Sequence, residues 1–143
     1  MPEKKPAERV FICIRLKPQD GIPKEEQMKQ FQENLNRAKR VARYAVLHGF
    51  DPEATTIYYT QFLDDFSTEE RRIGVQLGRE RIRLCQRLWW IKNDGDYPLY
   101  AASGKYGDRK FAEECGAIIE TKDYREIEKW LQEFDASKKN TPI

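Results

Sequence analysis

The residues best suited to binding and catalysis lie between Lys92 and Asp108. This stretch brings carboxylates, tyrosines and small residues close together: Asp94, Asp96, Tyr97, Tyr100, Ser103, Gly104, Lys105, Tyr106 and Asp108. Tyrosine rings stack on the face of a base or a sugar, and small residues let backbone amides reach a phosphate at a helix start. The same residue types also form ordinary solvated loops, so composition alone favours neither interpretation.

Alternating strands and helices must position these residues. Apolar, β-branched runs predict strands over 10–16, 54–59, 87–91 and 117–120. Between and after them, helices are predicted over 25–49, from a capping box at 67–70, over about 107–115, and from Asp123 onward. This alternation predicts a three-layer α/β/α sandwich, flavodoxin-like or Rossmann-like, with a parallel sheet of about four or five strands.

The helix that begins at Ser67 has two features that bear on packing. Ile73, Leu77 and Leu84 are predicted to face the core, and Gly74 and Gly78 lie one turn apart. Each glycine costs about 1 kcal/mol of helix propensity, which indicates that a neighbouring element approaches closely there.

The whole composition predicts one domain over 9–134, with flexible tails at 1–8 and 135–143. The 26 basic and 24 acidic residues are well mixed and leave a net charge of +2, which does not favour nucleic-acid or membrane binding. The N-terminal residues lack the apolar segment of a signal peptide, and three widely spaced cysteines fit reduced thiols. A cytoplasmic protein without a metal or cofactor is therefore predicted.

In an open parallel sheet, ligands bind beyond the carboxyl ends of the strands, where the strand order reverses. The corresponding segments here are 15–20, 59–66 and 92–108. The sequence therefore predicts that these three segments line the binding site.

The stretch 34–91 resembles the core of the nucleoside 2-deoxyribosyltransferase-like proteins, in particular their small bacterial and phage members. The matching positions keep their spacing without a gap: Asn34, Ala38, Gly49, Phe50, Pro52, Ala54, Gln61, Phe62, Asp64, Asp65, Glu69, Glu70, Arg71, Gly74, Gly78, Cys85, Leu88 and Trp89. The resemblance implies a fold that handles nucleosides or nucleotides, and it is consistent with a homo-oligomer.

Enzymes of that family cleave the bond between a base and a deoxyribose with a carboxylate, usually Glu in a segment like S-G-T-x-x-E. The carboxylate forms a glycosyl-enzyme or stabilises an oxocarbenium-like transition state, as in retaining glycosidases. With an insertion after Ile91, residues 103–108 fall on that segment. The resemblance thus implies Asp108 as nucleophile, with Ser103 and Gly104 shaping the pocket.

Other family positions are altered in this chain. Arg15 stands in the first loop, where the family usually has Gly or Ser followed by Pro and an aromatic residue. Gly78 and Arg79 stand near the position of its sugar-binding Asp or Asn. These changes indicate either a different, phosphorylated ligand or a loss of catalysis. In the first case Arg15 or Arg79 contacts the phosphate, and Asp94 also binds the substrate. The alternative function is a non-catalytic nucleotide sensor or protein-interaction module of the same fold.

The helix after Ser67 is also rich in arginine. Arg72, Arg79 and Arg83 share one face, which suits phosphate binding or nucleic acid, but the interleaved glutamates favour a salt-bridged solvent face. Nucleic acid is therefore not expected as a partner, and the resemblance implies a small nucleoside or nucleotide.

Overall fold

Parallel β-strands form the centre of the molecule. The computed structural model describes residues 5–93 and 104–138, and within them lie four strands in the spatial order β2-β1-β3-β4. Their bounds are β1 (Arg9–Cys13), β2 (Asp51–Glu53), β3 (Arg87–Lys92) and β4 (Ile118–Asp123). All neighbouring pairs are parallel, which confirms the predicted flavodoxin-like sandwich.

Helices follow each strand and cover both faces of the sheet. They are α1 (Lys24–Leu47), α2 (Thr55–Thr60), α3 (Thr68–Glu80), α4 (Gly104–Glu114) and α5 (Tyr124–Lys138), with a 3-10 turn (Arg81–Leu84) after α3. The predicted cap of α3 is present, because Ser67 Oγ accepts a hydrogen bond from the Glu70 amide at 3.4 Å. Asp123 caps α5 similarly, accepting from the Arg125 amide at 2.8 Å.

Alternate side chains of β1 and β3 enter two separate cores. On one face, Ile12 and Trp89 pack with α1 and α5, and on the other Phe11 and Trp90 pack with the 3-10 turn and α4. The adjacent tryptophans therefore serve opposite helical layers, as the alternation of side chains along a strand predicts. Each fully buried large apolar side chain stabilises the fold by about 1.5–3 kcal/mol.

The strand predicted over 54–59 is wrong. β2 occupies Asp51–Glu53, and Thr55–Thr60 forms the helix α2. Thr, Ile and Tyr favour strands only where they fit a pleated, half-buried surface. Here Thr55 is buried against Gly78 of α3 instead, so tertiary packing overrides the local preference.

The predicted core face of α3 is also wrong, although its glycines behave as expected. Ile73 and Leu77 are 39% and 47% exposed, and Leu84 in the 3-10 turn is 52% exposed. α3 instead turns its glycines toward α2. A Cβ at position 78 would lie 2.9 Å from Thr55 Oγ1, so the missing side chain permits the close approach.

Both predicted tails contribute contacts at their inner ends. α5 continues through Lys138, past the predicted boundary at residue 134, and Asp135 forms an ion pair with Arg43 of α1. At the other end, Glu8 forms an ion pair with Arg87. In the described part of the chain, no helix has the length and apolar character needed to cross a membrane.

Candidate functional site

A cleft lies beyond the carboxyl end of β1. β1 pairs with β2 on one side and β3 on the other, so the strand order reverses there and a parallel sheet opens a crevice. The inner cavity has a volume of about 90 Å³, and its lining includes Cys13, Arg15, Thr56, Asp65, Arg71 and Asp108. A second cavity of about 70 Å³ shares four of these residues, so the two are parts of one cleft.

Asp108 borders both cavities from the second turn of α4. Its Oδ1 accepts a hydrogen bond from Nε of Arg79 at 3.0 Å, which links α4 to α3. The Asp108 side chain is 19% exposed, so it is largely withdrawn from water but open to the cleft. The thiol of Cys13 donates to the carbonyl oxygen of Lys105 at 3.4 Å and joins β1 to the first turn of α4.

Gly107 makes room for the ion pair between Arg79 and Asp108. A Cβ built at position 107 would lie 3.0 Å from Cζ of Arg79 and closer still to its terminal nitrogen. The guanidinium therefore passes over α4 at a position where no side chain blocks it. Sequence spacing alone does not reveal this contact, because the two partners are separated by 29 residues.

Burial raises the pKa of Asp108 from 3.8 to about 6, although the hydrogen bond and positive charge of Arg79 act to lower it. Burial favours the neutral form of a carboxyl because the carboxylate loses hydration. The group is therefore mostly ionised at neutral pH but gains a proton in mildly acidic solution. A carboxyl with a raised pKa in a cleft is a common property of catalytic sites.

Asp65 is a second carboxyl in the same cleft. It borders both inner cavities, and burial raises its pKa, with the charge of Asp64 in the same direction and that of Arg71 opposed. Near it, the hydroxyl of Thr56 is buried without a hydrogen-bond partner among the described residues. A buried hydroxyl that lines a cavity can bond to a ligand or to water there.

Arg15 also contributes to the inner cavity. It is only 6% exposed, and its Nε donates to the carbonyl oxygen of Lys17 at 2.9 Å. Asn34 of α1 holds the same loop by donating to the carbonyl oxygen of Leu16 at 3.1 Å. The loop after β1 is thus held by side-chain hydrogen bonds rather than by the sheet.

The structure brings together three of the predicted site residues. Arg15 and Asp108 line the inner cavity, and Arg79 is bonded to Asp108 and borders the outer groove. Gly104 begins α4, three residues earlier than the predicted helix start. Asp94 and Ser103 lie outside the described residues.

Asp65, Arg71 and Thr56 are cleft residues that sequence reasoning did not assign. The adjacent Asp64 has a local structural role instead, because it accepts a hydrogen bond from the Phe66 amide at 2.9 Å. The available signal was the matching of Asp65 and Arg71 to the family pattern, together with the position of segment 59–66 at the predicted rim.

An open groove of about 770 Å³ continues the cleft along α3. Lys17, Asp65, Arg71 and Val75 belong to both the groove and the inner cavity. Cavities of about 300–1,000 Å³ accommodate small-molecule ligands. Over residues 5–93 and 104–138, no three His, Cys, Asp or Glu side chains are grouped closely enough to hold a metal ion.

Comparisons with known proteins identify a family but no activity. The family model described as Domain of unknown function DUF7768 matches residues 8–96. A solved structure of a 2-deoxyribosyltransferase from the psychrotolerant bacterium Bacillus psychrosaccharolyticus is similar at 16% identity, over 80% of this chain and 72% of that chain, with a TM-score of 0.49. Among curated proteins, none matches.

Proposed function

We propose that this chain, which belongs to the DUF7768 family of domains of unknown function, binds a nucleoside or nucleotide in the cleft beyond β1. We further propose that Asp108 acts on the N-glycosidic bond of this ligand. The observation that carries the proposal is the position of Asp108, a largely buried carboxyl that borders both inner cavities. The resemblance of residues 34–91 to the deoxyribosyltransferase-like pattern supports the same ligand class.

In the proposed reaction, the Asp108 carboxylate attacks the anomeric carbon of the sugar. The carbon–nitrogen bond breaks, its electron pair stays with the base, and the base leaves after gaining a proton. Water or a second base then attacks the same carbon, gives up a proton to the acid group that protonated the leaving base, and releases Asp108 as a carboxylate. Ionised Asp108 suits this role because its pKa of about 6 leaves most molecules charged at neutral pH.

Asp65 is suited to supply the proton that the leaving base needs. Burial raises its pKa, which increases the fraction of molecules that carry a proton on this group. Two carboxyls that border one cleft, one acting as nucleophile and the other as acid, are the arrangement used in glycoside hydrolysis.

Product analysis with a panel of nucleosides and their 5′-monophosphates tests the proposal. We expect the wild type to release free base or exchange it, and Asp108→Ala to reduce turnover to the background rate. Glu113→Ala is the matched control, because Glu113 lies on the same helix and is exposed. Equal turnover by the wild type and Asp108→Ala would refute the mechanism. For Asp65→Asn we expect a loss of about 10²–10⁴-fold, the usual contribution of a general acid.

The ion pair with Arg79 favours a second candidate, a nucleotide sensor without catalysis. A carboxylate bonded to a guanidinium at 3.0 Å has part of its charge neutralised, and Arg79 blocks one of its oxygens. This candidate predicts thermal stabilisation by ligand without any product. At a hundredfold excess over Kd, the stabilisation amounts to about 2.7 kcal/mol.

A further inference from the structure

The positively charged side chains around the cleft differ in whether they already form an ion pair or hydrogen bond within the protein. Arg79 is bonded to Asp108, Lys17 forms an ion pair with Asp20 at 3.3 Å, and Lys105 donates to the carbonyl oxygen of Ile91 at 2.6 Å. These side chains have their charge or donors committed to the protein itself. The phosphate role that the sequence suggested for Arg79 is therefore weakened by its bond to a carboxylate.

Arg71 is different from these residues. Among the residues that the structure describes, its guanidinium forms no ion pair within 4.0 Å and no hydrogen bond, and the residue is partly buried. Asp65 borders the same cavities, and the two are close enough for the charge of Arg71 to lower the pKa of Asp65 against the larger effect of burial. Arg71 and Asp65 nevertheless form neither an ion pair nor a hydrogen bond, so the N–H groups of the Arg71 guanidinium can donate to a ligand.

Arg71 also stands at the junction of all parts of the cleft. It lines the two inner cavities and the outer groove. Inner cavities of about 90 and 70 Å³ are each too small for a whole nucleoside, since ligand pockets usually measure about 300–1,000 Å³. A ligand that reaches Asp108 must therefore extend past Arg71 into the groove, where Arg72 adds a further positive charge.

We infer that Arg71 forms a phosphate subsite and that the ligand is a phosphomonoester, namely a nucleoside 5′-monophosphate. The planar guanidinium presents paired donors that match two phosphate oxygens, and it remains charged at any physiological pH. The sugar then lies between Arg71 and Asp108, with the phosphate at the groove. This inference rests on the proposed function and specifies its substrate class.

Calorimetric titration with matched pairs, each nucleoside beside its 5′-monophosphate, tests the subsite. We expect the wild type to bind the monophosphate about 10–100-fold more tightly than the nucleoside, the range for hydrogen bonds to a charged group. Arg71→Gln should abolish this preference, because it weakens monophosphate binding far more than nucleoside binding. Arg71→Lys, which keeps the charge but not the paired donors, should give an intermediate preference.

Arg83→Gln is the matched control. Arg83 is exposed, forms an ion pair with Glu80 and does not line the cleft, so this variant should keep the full preference. Thermal unfolding of each variant shows whether the fold is retained.

The outcomes separate the two proposals. Absence of binding by both members of every pair would refute the proposed function itself. Equal affinity of the wild type for nucleosides and monophosphates would overturn the subsite alone. A preference that survives in Arg71→Gln would also overturn it, because the phosphate would then be bound elsewhere.

Discussion

Replacing Asp108 with Asn should stabilise the protein at neutral pH and have less effect in acid. Asn has nearly the same shape and can still accept the hydrogen bond from Nε of Arg79. The substitution therefore removes the ionisable group with little change in packing. What it removes is the energetic cost of charging a carboxyl that is 19% exposed.

The size of the effect follows from the pKa of Asp108. A rise from 3.8 to about 6 on folding corresponds to about 3 kcal/mol at full ionisation. Because the folded protein holds this proton more tightly than the unfolded chain, the stabilising contribution is complete below pH 3.8. It is lost as the pH rises through about 6. Between acidic and neutral pH, the free energy of unfolding of the wild type should therefore decrease by up to about 3 kcal/mol relative to that of Asp108→Asn.

Urea unfolding of both proteins at a series of pH values measures this difference. Other titratable groups are common to the two proteins, so their contributions largely cancel. We expect the advantage of Asp108→Asn to increase from acidic to neutral pH, with its midpoint between the two pKa values. Glu113→Gln, on the exposed side of α4, is the matched control for a substitution in the same helix. An advantage that is constant or decreases with pH would refute the reasoning.

Three further substitutions test other contacts. Gly107→Ala should change the free energy of unfolding by no more than about 1 kcal/mol, because alanine favours the helix. It should displace the flexible end of Arg79 and thereby raise the pKa of Asp108, as measured by carboxyl NMR titration. An unchanged pKa of Asp108 would contradict this. Gly78→Ala should destabilise the fold by about 1–3 kcal/mol in urea unfolding, because its Cβ would meet Thr55 Cβ at 3.0 Å; a neutral effect would show that α2 moves freely. Burial acts to raise the pKa of Glu128, but hydrogen bonds from neighbouring side chains outweigh it and lower this pKa, so its stabilising contribution is present at neutral pH and lost in acid. Glu128→Gln should therefore destabilise the protein at pH 7 and less at pH 4, and the opposite trend would refute this assignment.

The sheet and its flanking helices could be predicted because local signals and the final fold agree. The apolar run that becomes β3 is buried on both faces, and Trp89 and Trp90 enter opposite cores as their alternation requires. Cap residues such as Ser67 mark helix starts through hydrogen bonds to amides only three residues away. Such signals act within a few residues, so a single sequence displays them.

The errors arose where packing between distant elements decides the structure. Residues 54–59 have strand-forming side chains, but Thr55 packs beneath Gly78 and the segment becomes helical. The apolar residues of α3 suggested its buried face, whereas its glycines mark the true contact surface. In both cases the deciding partner lies on another helix, beyond the reach of any local pattern.

The candidate site was predictable only in its location. The sequence indicated the rim of the sheet and the carboxylate at position 108, but not the bond from Arg79 or the presence of Asp65 in the cleft. These features depend on how α3 and α4 meet, with Gly107 allowing the guanidinium to pass. The spacing of residues along the chain does not reveal this contact between α3 and α4.

The thiol of Cys13 provides a natural reporter of helix movement. It is buried under α4. Burial, and to a smaller extent the charge of Asp108, raises the pKa of the thiol, so Cys13 resists alkylation while α4 is packed against β1. Cys115, at the far end of α4, is exposed and should react first. The rate at which Cys13 is alkylated would then measure how often the first turn of α4 separates from β1. A ligand that spans the cleft should lower this rate.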